Sequence, residues 1–98
     1  METETNKGIE RVRDLADSLS VIGNQTRFSI VSYCIKPQRF TDIIQTLKLN
    51  PASFKFHLGV LTEHELLCRV ERGVYQTTEL GNLLVQLVDV ASKIKDDN

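Results

Sequence analysis

Residues 51–61 read PASFKFHLGVL, and within them Phe54, Leu58 and Leu61 recur at steps of four and three. That spacing lines one face of a helix with apolar side chains. Ala52, Ser53, Lys55, Phe56 and Gly59 are left off that face. Together they offer a hydroxyl, an ammonium, an aromatic ring and a position without a side chain, chemistry suited to a phosphate- and base-bearing surface. Ser53 can hydrogen-bond to bases or phosphate, or simply cap the helix. Lys55 can reach a guanine edge or a phosphate, or stay a solvated charge. Phe56 offers apolar contact to thymine methyls, or packs under a neighbouring hairpin. Gly59 permits close approach of a partner, or only weakens the helix. His57 reads as a packed, hydrogen-bonded histidine that orients the helix.

The charge pattern points to the same middle region. The chain has 98 residues and a formal net charge of −1. Residues 1–20 carry five acidic and three basic side chains, residues 21–76 four acidic and seven basic, and residues 77–98 four acidic and two basic. A basic centre between acidic ends fits a polyanion-facing surface, although scattered surface charge gives the same counts. Lys36, Arg39, Lys48, Arg69 and Arg72 are the further candidate phosphate contacts. Such contacts position a protein and do not read sequence.

These residues need elements to hold them. Ile9, Val12, Leu15, Ala16, Leu19 and Ile22 predict a first helix over about 9–22, ended by Gly23. Asn24 caps a second, mostly apolar helix, which Lys36-Pro37 stops. Thr41 is the expected N-cap of a short third helix from Asp42 to about Lys48. Asn50 and Pro51 begin the fourth, over about 51–65. The period then changes to two: Leu66, Cys68 and Val70 alternate with Leu67, Arg69 and Glu71 as in a half-buried strand. Val74–Thr77 returns through an Arg72-Gly73 turn, giving a hairpin over about 67–77. Thr77 or Thr78 caps a last helix over about 79–94, with KDDN as a solvated tail. The fold class is mainly α with a small β-hairpin, in the order α-α-α-α-β-β-α. A short helix, tight break and longer helix followed by a hairpin make a winged helix-turn-helix, in one domain spanning 1–98.

Three stretches resemble a known family. SVIGNQTRFSIVSYC resembles the opening of ArsR-type winged-helix repressors, which commonly read like ALGNPTRLRIL; here Gln25 replaces the usual proline. FTDIIQTLKLNPASFKFHLGVL resembles the family's helix-turn-helix, whose second helix often carries a Ser/Thr-rich start and HLKVL. Ser53, His57, Leu58, Val60 and Leu61 match, and Gly59 stands where Lys or Arg is frequent. VYQTTELG resembles the wing ending Y-x-LT-x-x-G of several winged-helix families, MarR-type regulators included. The likeness covers roughly residues 18–88. It implies a homodimeric transcription regulator, most simply a repressor, that binds double-stranded DNA sequence-specifically with the fourth helix in the major groove and the wing on the backbone. It also implies pairing through the first and last helices, by Val12, Leu15, Leu19, Leu83, Leu84, Leu87, Ala91 and Ile94. The alternative is a winged-helix protein-interaction module, supported by the acidic balance and an outward Phe56.

Other chemistries find little support. Many ArsR-type proteins bind metals, but TDIIQTLK has no cysteine and the last helix no histidine, so no metal is expected. Cys34 and Cys68 do not form a disulfide framework and read as buried small hydrophobes; a thiol switch is the minority reading. No nucleophile–base motif or Gly-rich phosphate loop is present, and so short a chain is expected to lack room for a substrate cleft. Neither an enzyme nor a cofactor is expected. No stretch reaches the about 18 apolar residues that span a membrane. The polar start METETNKGIE is unlike a signal peptide, so a cytoplasmic location is expected.

Overall fold

The computed structural model describes residues 2–97, with side chains from residue 8 to residue 96. Helix α1 (Glu2–Ile22) leads to α2 (Gln25–Tyr33), strand β1 (Gln38–Arg39), α3 (Phe40–Leu47), α4 (Pro51–Glu63), β2 (Leu67–Glu71), β3 (Val74–Thr77) and α5 (Glu79–Asp97). The arrangement is mainly helical with a small antiparallel sheet, as the residue pattern predicts. β1 is an addition to that prediction. The sheet order is β1-β3-β2, with Gln38 opposite Tyr75 and Arg39 opposite Val74. Two residues are too short to show a strand period, and β1 exists because β3 is there to pair with it.

Local chemistry explains most boundaries. The Asn24 side chain accepts from the Arg27 backbone N–H at 3.0 Å, and that of Asn50 from Ala52 and Ser53 at 2.9 and 3.3 Å. Each satisfies donors that a helix start leaves free. Gly73 takes φ +74° in the hairpin turn, a conformation that suits glycine. The Thr78 hydroxyl accepts from the Gly81 N–H at 3.0 Å, which settles the cap of α5 on Thr78. Gly81 then passes so close to the Leu66 carbonyl and the Thr77 methyl that an added Cβ would collide with both.

Four local expectations are corrected. Thr41 does not cap α3; the helix starts at Phe40 behind Arg39, which makes no side-chain cap. Phe40 instead stacks against Phe54, with ring centroids 4.9 Å apart, and its N–H donates to the Gly73 carbonyl. The β2 alternation fails, because Leu66 and Leu67 are both buried while Cys68 and Val70 are exposed. The turn after α4 is the cause: Glu65 adopts φ +59°, and Leu66 N–H donates back to Leu61 O, pulling both leucines inward. α1 and α5 also run past the predicted limits. α5 continues through Asp97, so Lys95, Asp96 and Asp97 are helical rather than tail, and Asn98 lies outside the described residues.

The core gathers Ile22, Ile30, Val31, Cys34, Ile43, Phe54, Leu61, Leu66, Leu67 and Leu84. Every helix contributes, and Phe54 and Leu61 hold the inner face of α4. This packing, rather than the helix itself, fixes which side of α4 faces out.

Candidate functional site

The inner face of α4 is pinned at several points. Phe54 and Leu61 are wholly buried, and Leu58 is half-buried against the core. His57 lies beside them. Arg27, on α2, donates from Nε to the Val21 carbonyl at 2.8 Å and from a terminal nitrogen to His57 Nδ1 at 3.3 Å. The guanidinium has only donors to offer, so Nδ1 accepts and Nε2 carries the imidazole proton. Burial, and then the Arg27 charge, hold the His57 pKa below its ordinary 6.5. His57 thus joins α4 to the α1–α2 corner, the orienting role that the residue pattern suggests. Its partner Arg27 is invisible in the sequence, being thirty residues away.

The opposite face of α4 is open. Ala52, Ser53, Lys55, Phe56 and Gly59 are all exposed, Phe56 by 66%. Asn50 does the capping, and the Ser53 hydroxyl forms no hydrogen bond among the described residues. Phe56 does not pack under the hairpin; its ring stays largely exposed and meets His57 edge-on, with centroids 5.7 Å apart. No heavy atom lies within 4 Å of a Cβ built on Gly59, so the fold itself does not demand glycine there.

Lys36, Arg39, Lys48, Arg69 and Arg72 are exposed as well. The ion pair found among the described residues is Lys93 with Asp89 on α5, so none of these five cations, nor Lys55, is neutralised by a neighbour. Lys48 takes φ +55° just after α3, in the break of the helix-turn-helix. Arg72 occupies the hairpin turn. β1 brings Arg39 to the same sheet as Arg69, yet not to the same face. Arg69 lies in the row of Tyr75 and Gln38, and Arg39 in the next row with Val74. Adjacent rows point to opposite sides of a sheet.

A second exposed surface has another character. On α1, Ile9, Val12 and Leu15 are 47%, 68% and 45% exposed; on α5, Leu83, Leu87, Val90 and Ile94 are 60%, 52%, 53% and 60% exposed. Ile9 and Val90 join the stripe predicted from sequence, and Ala91 is exposed beside them. Two predicted members fit less well. Leu84 is only 2% exposed and belongs to this chain's own core, so it is removed from the pairing set. Leu19 is half-buried against that core.

The two thiols part company. Cys34 is wholly buried, as expected, and burial pushes its pKa up to about 12. Cys68, expected inside, is exposed on β2, with its Sγ–H donating to the Gln76 carbonyl at 3.3 Å. Among the described residues no group of three or more His, Cys, Asp or Glu is placed to hold a metal ion, and no helix is long and apolar enough to cross a membrane.

No protein-family model matches the chain, and no curated protein does. Among solved structures it is similar to the quinone-bound YodB from B. subtilis, with a TM-score of 0.71 and 22% sequence identity over 81% of this chain and 90% of that one. The likeness supports a winged-helix fold for this chain.

Proposed function

We propose that the chain, acting as one domain over residues 1–98, is a homodimeric, sequence-specific double-stranded DNA-binding transcription regulator of the ArsR kind. α4 enters the major groove and the β2–β3 wing follows the backbone. One observation carries the reading. A helix clamped on its inner side by Phe54, Leu61 and the Arg27–His57 contact exposes Ser53, Lys55 and Phe56 on the other, flanked by unneutralised cations. Lys55 and Ser53 supply polar contacts, Phe56 meets thymine methyls, and Gly59 lets the backbone approach. Lys36, Arg39, Lys48, Arg69 and Arg72 supply phosphate contacts.

A second copy is the partner for the apolar stripes of α1 and α5. Two stripes on one subunit can meet the same two on another across a twofold axis, as an isologous interface requires. The surface then divides into a DNA face and a pairing face, so occlusion of the bound site is the simplest action and repression the expected sign. We place the protein in the cytoplasm, with neither catalysis nor a metal in the scheme.

Fluorescence anisotropy with labelled duplex tests the proposal. Affinity falls steeply with salt as screened phosphate contacts are lost. A Lys55→Glu, Arg72→Glu variant keeps its circular dichroism and Tm but loses binding. Wild-type affinity in that variant sinks the surface assignment. If no duplex binds even at low salt, the exposed Phe56 favours the alternative of a protein-interaction module.

A further inference from the structure

His57 has one nitrogen that the fold does not use. Arg27 occupies the other, donating to Nδ1 at 3.3 Å, and a guanidinium has no acceptor to offer. The imidazole is therefore held as the Nε2–H tautomer, in which Nε2 donates and does not accept. That N–H forms no hydrogen bond among the described residues. The buried side-chain polar atom left without a partner there is the Ser32 hydroxyl, so the unpartnered Nε2 of half-buried His57 is open to the surface.

We infer that His57 is a further DNA contact: its Nε2–H donates to a non-bridging oxygen of one backbone phosphate, with Arg27 behind it as the positioning residue. The inference rests on the DNA-binding reading, in which His57 had only the helix to orient.

A phosphate suits this donor better than a base edge. At helical spacing His57 stands at the rim of α4, between the buried Phe54 and Leu61 and the exposed Ser53 one turn before it. Phe56 and Gly59 hold the middle of the open face, where base edges lie. Arg27 is in no ion pair among the described residues, so its charge adds positive potential at the same rim and favours an anion. A group that only donates also gains nothing from the amino groups of adenine and cytosine, whereas any phosphate accepts from it.

Two substitutions of the full chain separate the two nitrogens. His57→Asn leaves an acceptor near the place of Nδ1 for Arg27 and removes the outer donor. His57→Gln carries an amide N–H near the place of Nε2 and gives up the Arg27 contact. Fluorescence anisotropy at about pH 8, where burial and Arg27 keep the imidazole neutral, follows binding to a duplex obtained by selection and to a scrambled one. His57→Asn is expected to keep its Tm and to lose about tenfold in affinity on both duplexes. Its salt slope stays that of the wild type, because a neutral donor cancels no phosphate charge. His57→Gln has the lower Tm and recovers part of the affinity. Replacing single phosphates by methylphosphonates finds one position that costs the wild type affinity and costs His57→Asn none, a coupling that holds whatever the Tm of the variant. Nitrogen NMR of the free protein shows the proton on Nε2. Wild-type affinity in His57→Asn, a loss confined to the selected duplex, a changed salt slope, no coupled phosphate, or a proton on Nδ1 overturns the inference. Each of these leaves the DNA-binding proposal standing, because the Lys55→Glu, Arg72→Glu variant tests that separately. Absence of duplex binding by the wild type removes both.

Discussion

The outer face of α4 and the outer faces of α1 and α5 both expose large apolar side chains, yet they differ in their surroundings. Phe56 is a lone ring at 66% exposure, with Lys55 beside it and the basic wing on the same molecule. Leu83, Leu87, Val90 and Ile94 form a stripe at helical spacing, and Asp89 and Lys93 on the same helix pair with each other. Exposure alone therefore does not say what a surface meets. An isolated aromatic beside cations suits a polyanion with apolar spots, whereas a continuous apolar stripe suits another apolar stripe.

The largest effect should come from breaking the second surface. Val12→Asp with Leu87→Asp buries no charge within the chain, so each subunit stays folded. Sedimentation should show a monomer, and duplex affinity should fall about 100-fold as the second half-site is lost. Retained dimerisation would remove the distinction drawn between the two faces.

Next comes the clamp behind α4. Arg27→Met should lower stability by about 1–2 kcal/mol, since the Val21 carbonyl and His57 both lose a donor. Chemical denaturation measures the loss. Duplex affinity should fall with it, whereas the oligomeric state stays as it was.

Phe56→Ala should change stability by less than about 0.5 kcal/mol, because the ring covers little of its own protein. Binding selection should show weaker preference for thymine in the bound site, by less than about tenfold. A marked loss of stability would place the ring in the fold rather than on the ligand side.

The smallest effect is electrostatic. The folded protein resists a proton at His57 that the unfolded chain accepts, since burial and Arg27 hold its pKa below 6.5. This contribution is intact above about 6.5 and declines as pH falls from there toward the lowered folded value. Between those limits Tm should drop slightly in the wild type, and His57→Gln should remove that segment of the slope.

Much of this was legible in the residue pattern. The winged-helix order, the caps at Asn24 and Asn50, the Gly73 turn and the outward set on α4 all follow from contacts a few residues apart. β1 was not legible, because Gln38 and Arg39 become a strand only against Tyr75 and Val74. Nor was the start of α3, where Phe40 answers to Phe54 rather than to a cap at Thr41.

The sequence by itself determined the caps at Asn24 and Asn50, the Gly73 turn and which residues form apolar stripes, since capping and periodicity act within a few residues. The tertiary structure decided which apolar residues lie inside. It took Leu84 in and left Leu83 and Leu87 out, and it exposed Cys68. Burial depends on what distant segments bring to the other side, and a one-dimensional pattern does not contain that.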